Sequence, residues 1–336
     1  MSNSLDSESS LRLYASMRSH FHAPLFVSGL LLFAAVQPAT AQTNSNPLEF
    51  QSSPRLQKIV DSAVEHALKQ FAPQNLKSNE LAVTLVDLND ATQPAWASYR
   101  GNERVYPASV IKTFYLVAAH HWLEDGKLKD TEELRRAMRD MIVDSYNEAT
   151  GYVVDLLTGT TSGAELAPAE FDAWFAKRQM VNQYFTALGY QNINVNRKTW
   201  CEGPYGREKQ LANQPPPDNR NWLTTQATAR LFAQMVTGRA VSPERSQQMM
   251  KLHERQPFDA NGNVQSREYT GAVLPAGAKL WSKAGWTSEV RHDAAYVELP
   301  TGEKFISVIF TAGHSKEKEI VPAVARSVLA GMRETK

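Results

Sequence analysis

The sequence predicts an α/β protein of the α+β type: one antiparallel sheet built from both chain ends, terminal helices flanking the sheet, and an all-helical lobe. Three observations lead to this prediction. Apolar residues alternate, as they do in strands, within 81–99 and again within 279–311. Between these segments, from Ser109 to about Gly238, the apolar spacing is mostly helical. Helical spacing also precedes the first strand and follows the last one.

The first element is a helix in which apolar residues recur from Ile59 to Phe71, and Pro73 ends it. A strand pair follows at 81–88 and 95–99, joined by a turn. The segment 192–223 is long, irregular and rich in Gly, Pro and Asn, which makes it a candidate wall of a functional site. Helical apolar spacing marks the predicted helices of the lobe, at 111–123, 134–143, 149–157, 171–188 and 225–236.

The end of the chain returns to strands, at 279–286, 294–299 and 305–311, and closes with an amphipathic helix at 319–332. No internal repeat is evident. We therefore predict one domain over 54–336. Its sheet lobe covers 54–108 and 270–336, its helical lobe covers 109–269, and a polar linker at 42–53 precedes it.

The N-terminal 41 residues have the pattern of a signal peptide. An apolar run at 24–36 follows Arg18 and precedes the small-residue signal Ala39-Thr40-Ala41. The run has about 13 residues, whereas spanning a bilayer takes about 20. We expect cleavage near Ala41 and a periplasmic or secreted protein without stable membrane insertion. A retained N-terminal anchor is the alternative, and Met17 is a second possible start.

Composition excludes several classes of partner and cofactor. The 36 Lys and Arg residues nearly balance the 35 Asp and Glu residues, and no basic stripe points to nucleic acid. Cys201 is the only cysteine, so no intrachain disulfide forms. His120 and His121 lie in an apolar helical run, where a packed or surface pair is expected rather than metal ligands. We expect no metal, no cofactor and a monomer.

Three short motifs carry the chemistry. Ser109 and Lys112 lie three residues apart at the start of an apolar helix, so both side chains project from one face. A lysine there accepts the serine proton if burial beside other cations lowers its pKa. Alone, this pattern more often marks a capped helix. It is followed, in order, by Ser145-Tyr146-Asn147 and by Lys283-Ala284-Gly285 at the start of a strand.

The ordered set Ser-x-x-Lys, Ser-x-Asn and Lys-x-Gly resembles the signature of class A β-lactamases and penicillin-binding proteins. The resemblance extends over 54–336 and implies the serine β-lactamase/DD-peptidase fold. It implies that Ser109 is the nucleophile, Lys112 its proton partner, and Ser145 the relay of a proton to the leaving nitrogen. Glu208 would activate the hydrolytic water, with Glu202 as the alternative. The alternative interpretation is that neither glutamate is catalytic and that both are solvent-exposed charges in a loop.

The resemblance also implies a set of substrate contacts. Asn147 would hold Lys112 and the substrate amide, and Lys283 would meet the substrate carboxylate. Backbone N–H groups of Ser109 and Trp286 would form the oxyanion hole, a donor pair whose single members contribute about two to three orders of magnitude in comparable sites. The remaining substrate-binding residues would lie on the same strand and just after it, at Gly285 and Thr287.

Two positions depart from the class A pattern, and both affect substrate binding. Tyr146 replaces an Asp, and Ala284 replaces a Thr whose hydroxyl helps to bind the carboxylate, so Thr287 or Arg291 is a candidate replacement. The first two motifs are also closer together than usual, which implies a more open cleft. Arg291-His292-Asp293 suggests a Ser-His-Asp triad, but without a Gly-x-Ser-x-Gly elbow it is read as a salt bridge or a wall of the site.

The predicted function is that of a serine hydrolase, first of all a β-lactamase that hydrolyses the β-lactam amide. Two alternatives also begin with binding of the substrate and acylation of the serine. One is a penicillin-binding DD-peptidase or related esterase acting on peptidoglycan-like peptides. The other is a β-lactam-binding sensor that is acylated without turnover. The lifetime of a penicillin adduct separates the three.

Overall fold

The structure, a computed structural model, describes residues 48–200, 203–215, 219–257 and 263–334. The predicted signal peptide, Cys201 and Glu202 lie outside the described residues. The strands are β1 (Gln51–Ser52), β2 (Leu81–Asp87), β3 (Ala95–Tyr99), β4 (Glu254–Arg255), β5 (Lys279–Trp286), β6 (Arg291–Glu298) and β7 (Lys304–Thr311). The helices are α1 (Pro54–Gln70), α2 (Ile111–Glu124), α3 (Glu132–Arg139), α4 (Asn147–Thr158), α5 (Pro168–Arg178), α6 (Met180–Ala187), α7 (Gly206–Ala212), α8 (Thr225–Val236), α9 (Pro243–His253), α10 (Val264–Arg267) and α11 (Ile320–Arg333).

The strands form one sheet in the order β1-β3-β2-β7-β6-β5-β4. Strand β2, from the start of the domain, pairs antiparallel with β7, from its end, with Leu81 opposite Thr311 and Asp87 opposite Phe305. The short edge strand β1 is parallel to β3, and the other pairs are antiparallel. The predicted α/β fold, with a sheet built from both chain ends, is therefore confirmed. None of the described helices combines the length and hydropathy needed to cross a membrane.

Each face of the sheet has its own apolar core. The alternation of β2 directs Val83 and Leu85 to a cluster shared with α1 and α11. It directs Ala82 and Val86 to the larger cluster formed with α2 and α8. Helix α1 begins where the Ser53 hydroxyl accepts a hydrogen bond from the Leu56 N–H. The sheet thus separates a layer of two terminal helices from the helical lobe, and the second motif of the sequence lies in that lobe.

Two predicted segments differ in detail. The segment 171–188 forms two helices, α5 and α6, because Gln179 interrupts the helical backbone between them. The segment 192–223 is not wholly irregular, since it contains α7. Its described ends are held together by a bridge between Asn194 and Trp222.

Candidate active site

Ser109 lies on a strained turn at the entry to α2. A 3₁₀ turn covers Ala108–Val110, and Ala108 has a φ of +46°, in the left-handed region that favours glycine. Strain of this kind costs about 1 to 3 kcal/mol and persists only where the surroundings enforce it. Ser109 itself is partly exposed. The turn therefore presents the serine at the end of a buried helix.

Gly285 explains how strand β5 reaches this turn. A Cβ atom at Gly285 would lie 2.7 Å from the Pro107 carbonyl oxygen and 2.9 Å from the Ser109 backbone nitrogen. Both contacts are with backbone, which cannot move aside, so any side chain here would push the strand away from Ser109. A glycine at this position keeps the next residue, Trp286, close to the serine turn.

Lys112 is completely buried beneath the site. Its Nζ donates to the Ser145 carbonyl oxygen at 2.5 Å, to Ser145 Oγ at 3.2 Å and to Asn147 Oδ1 at 2.8 Å. These contacts bring the first two motifs together.

Lys283 meets the same hydroxyl from the sheet side. It is completely buried, and its Nζ donates to Ser145 Oγ at 3.0 Å, to Gln265 Oε1 at 2.6 Å and to the Ala284 carbonyl oxygen at 2.8 Å. Burial lowers the pKa of Lys283 well below its usual value, and the charges of Lys112 and Arg255 lower it further. We call Lys112, Ser145 and Lys283 the relay cluster.

Ser145 lies where the backbone is also unusual. It follows a π-helical turn over Asp140–Asp144 and has a φ of +61°. π-Helical turns of this kind often occur at functional sites. The left-handed conformation lets the Ser145 carbonyl and hydroxyl both face Lys112. Tyr146 follows with its side chain 57% exposed, and α4 begins at Asn147.

Gln265 and Arg255 were not predicted from the sequence, although both support the site. Gln265 Oε1 accepts from Lys283 Nζ at 2.6 Å, and Gln265 Nε2 donates to the Val143 carbonyl oxygen at 2.8 Å. Arg255 Nη2 donates to the Ile142 carbonyl oxygen at 3.0 Å. Gln265 therefore connects the strand that carries Lys283 to the turn before Ser145. The sequence itself carries little signal for either residue, because their burial becomes evident only in the folded structure.

The two proposed replacements for the missing threonine at Ala284 are engaged elsewhere. Thr287 Oγ1 accepts hydrogen bonds from the backbone N–H groups of Glu289 and Val290, within the turn after β5. Arg291 Nη2 donates to Glu268 Oε2 at 2.9 Å. Neither side chain is free in this structure for a substrate carboxylate without exchanging those partners.

His292 and Asp293 lie on opposite faces of β6 and do not form a triad with Ser109. His292 Nε2 is 2.8 Å from the Tyr106 carbonyl oxygen, and Nδ1 accepts from the Thr311 N–H, so the ring fixes the segment before Ser109. Burial lowers the pKa of His292 to about 4. Asp293 accepts from the Thr270 N–H at 3.0 Å, and burial raises its pKa to about 6.

Glu208 lies in a second group of buried charges. One of its oxygens accepts a hydrogen bond from Arg178, and the other accepts from Ser162 Oγ at 3.0 Å. Lys198 Nζ lies 3.7 Å from Glu208 and 2.6 Å from Asp155. We call Asp155, Arg178, Lys198 and Glu208 the balanced cluster. The role of Glu208 as a base stays a prediction. In the part of the chain described, no group of three or more His, Cys, Asp or Glu side chains could hold a metal ion.

Residues 63–330 match the β-lactamase enzyme family. No curated protein matches the chain. A solved β-lactamase from Sphaerobacter thermophilus DSM 20745 is similar, with 19% identity and a TM-score of 0.60 over 82% of this chain and 97% of that one. A PBP-A mutant, in an acyl-enzyme complex with penicillin G, has 19% identity and a TM-score of 0.59 over 82% and 97% of the two chains. A β-lactamase from Chitinophaga pinensis DSM 2588 has 18% identity and a TM-score of 0.59 over 83% and 100%.

Proposed function

This chain belongs to the β-lactamase enzyme family, and from that premise we propose that it is a serine hydrolase that opens a β-lactam amide through a covalent acyl-enzyme on Ser109. Lys112 acts here as an uncharged amine: the Ser109 oxygen attacks the amide carbonyl while its proton passes to the Lys112 nitrogen. The bond to nitrogen then breaks, and the nitrogen takes a proton from Ser145. Water later cleaves the ester. We also propose that the chain is exported after cleavage near Ala41.

The observation that carries this proposal is the position of Ser145 Oγ between the buried side-chain nitrogens of Lys112 and Lys283. It accepts from Lys112 Nζ at 3.2 Å and from Lys283 Nζ at 3.0 Å. A hydroxyl has two acceptor lone pairs and one donor hydrogen. When both lone pairs are taken by the lysines, the hydrogen points away from them and is available to a leaving nitrogen. The proton that Lys112 accepts can replace it along the hydrogen bond.

When both lysines are charged, their repulsion favours the loss of one proton. Like charges that share one acceptor disfavour each other, and burial removes the water that would stabilise them. The lowered pKa of Lys283 has these causes. A positive potential also remains beside Ser109, where negative charge develops on the oxygen under attack. The cluster therefore suits acyl transfer to a serine better than a structural role alone.

A second candidate function is penicillin binding with slow turnover, and the environment of Glu208 favours it. A general base must lie within hydrogen-bond reach of the water it activates. Glu208 is almost completely buried, and its two oxygens already accept hydrogen bonds from Arg178 and from Ser162, which limits the approach of a water. If that arrangement persists in the acyl-enzyme, acylation on Ser109 proceeds while hydrolysis of the ester is slow. The chain would then act as a DD-peptidase-like enzyme or a β-lactam-binding sensor.

The experiment is mass spectrometry of the protein during reaction with benzylpenicillin. We expect a covalent adduct on wild type and none on Ser109→Ala, because Ser109 is the proposed nucleophile. Glu208→Gln tests the base: an adduct that lasts much longer than on wild type supports the β-lactamase function. An adduct that wild type already holds for hours, with no change in Glu208→Gln, supports penicillin binding instead. An adduct on Ser109→Ala at another serine would contradict the proposal.

A further inference from the structure

A cleft next to Asn147 has no role in the chemistry described so far. It has a volume of about 350 Å³, which lies within the range of small-molecule sites. One wall is the exposed side of the first turns of α4, and the other is the segment that follows Arg197. Its lining residues are Asn147, Glu148, Gly151, Tyr152, Asp155, Ser162, Lys198, Thr199 and Trp200. We call this space the α4 cleft.

The position of the α4 cleft relates it to the acyl part of a substrate. Asn147 Oδ1 accepts from Lys112 in the relay cluster, and Asn147 also lines the cleft. Under the proposed function, the side-chain amide of a penicillin lies against Asn147. The α4 cleft begins at Asn147, so it is a space that the group attached to that amide can occupy.

The charges around the cleft leave one carboxylate uncompensated. Asp155 and Glu208 are matched by Arg178 and Lys198, which lie within ion-pair distance of them. Glu148 is exposed in the cleft and forms no ion pair or hydrogen bond with the other described residues. The net charge presented to a ligand is therefore negative, and it is located on the residue next to Asn147.

The walls of the α4 cleft also carry aromatic side chains, which suit a ligand with a positively charged group. Tyr152 is 38% exposed and lines the cleft together with Trp200, so two aromatic side chains border the space. Aromatic faces attract cations, by about 0.5 to 1 kcal/mol at exposed positions. Lys198 Nζ lies 6.0 Å from the centre of the Trp200 ring, so the ring of Tyr152 is the one left for a cation of the ligand.

We propose that the α4 cleft is a subsite for substrates whose acyl side chain carries an ammonium group, and that Glu148 determines this preference. The proposal rests on acylation of Ser109 and adds the class of substrate. It extends to β-lactams and to peptides with a free amino group near the scissile amide. Substrates with a carboxylate in the same position are disfavoured, because it would face Glu148.

The test compares three penicillins that differ at one carbon of the side chain: ampicillin carries an ammonium group there, benzylpenicillin hydrogen, and carbenicillin a carboxylate. The second-order rate constant for acylation is measured at about pH 6, where an α-amino group is protonated. We expect Glu148→Gln to lower the rate for ampicillin about fivefold, to raise it for carbenicillin, and to leave benzylpenicillin within about twofold. Glu170→Gln, another exposed glutamate in the first turn of α5, is the matched control and should change none of them.

The possible failures are distinct. If Glu148→Gln changes all three rates equally, or none of them, the ammonium subsite is wrong while acylation of Ser109 stands. If Glu170→Gln has the same charge-dependent effect as Glu148→Gln, the preference reflects the overall field of the protein and the assignment to the α4 cleft is wrong. If wild type neither forms an adduct with any of the three nor hydrolyses it, the proposed function fails and the subsite falls with it.

Discussion

The relay cluster and the balanced cluster are both buried and charged, but they are built in opposite ways. In the relay cluster, Lys112 and Lys283 donate to uncharged oxygens, and both reach the same hydroxyl, Ser145 Oγ. In the balanced cluster, Arg178 and Lys198 each face a carboxylate. The first arrangement stores electrostatic repulsion, whereas the second one relieves it. This difference suits the relay cluster to proton transfer and the balanced cluster to holding the loop that contains Glu208 in position.

The two clusters also differ in how far their cations lie from the carboxylates Asp293 and Glu208. Asp293 is the carboxylate whose charge opposes the lowering of the Lys283 pKa, and it lies on the opposite face of the sheet, bound to Thr270. Glu208 lies in direct contact with Arg178. A carboxylate in direct contact with the lysines would hold their protons more tightly. Because it lies on the far face of the sheet, the Asp293 charge offsets part of the effect of the other cations on Lys283 without binding the protons of the cluster directly.

Among the variants that test this comparison, Lys112→Met should have the largest effect on the rate of acylation. It keeps the volume of the side chain and removes one of the two ammonium groups. We expect acylation by benzylpenicillin to slow about 10⁴-fold, since the proton acceptor for Ser109 is lost. Stability should stay the same or rise, because a buried charge is replaced by a well-packed apolar side chain. Stopped-flow acylation and urea denaturation measure the two quantities. Fast acylation in this variant would exclude Lys112 as the acceptor.

Arg178→Met, the same kind of substitution in the balanced cluster, should do the reverse. It leaves the buried carboxylate of Glu208 without its closest cation, and breaking a buried ion pair in this way costs about 3 to 5 kcal/mol. Acylation of Ser109 should remain within about twofold, since Arg178 touches none of the relay cluster. Urea denaturation gives the loss of stability. The double variant with Glu208→Met should recover most of it, and a double variant as unstable as the single one would contradict the balanced-charge account.

The sequence predicts the sheet and the relay cluster well because both depend on local patterns. The alternation of 81–88 is enough to define β2, and the three motifs carry the resemblance that relates Ser109, Ser145 and Lys283. These features need no knowledge of how distant segments pack.

The balanced cluster and Gln265 depend on tertiary contacts, and the sequence carries little signal for them. Arg178 and Glu208 are 30 residues apart, on α5 and α7, and nothing local distinguishes them from exposed charges. Gln265 lies on a helix of four residues, too short for its apolar spacing to indicate a buried face. Both become evident only when the loop at 192–223 and the segment before β5 fold against the helical lobe.

Asp293→Asn tests the last part of the comparison, the carboxylate kept on the far face of the sheet. Burial raises the pKa of Asp293 to about 6 from an ordinary value of 3.8. A group with a raised pKa in the folded state contributes stability that is present below its unfolded pKa and is lost as the pH rises through the folded value. Relative to wild type, Asp293→Asn should therefore be unchanged near pH 3.5 and gain about 3 kcal/mol above pH 7.

Urea denaturation of both proteins at several pH values measures this difference, and Asp172→Asn, an exposed aspartate on α5, is the matched control that should show none. The gain has a cost in the relay cluster, because the Asp293 charge raises the Lys283 pKa that burial and the other cations lower. Without it, Lys283 loses its proton at lower pH, and the alkaline limit of acylation should shift to lower pH. A variant equally more stable at every pH would show that Asp293 is not the titrating group. A variant with an unshifted alkaline limit would show that its charge does not reach the relay cluster.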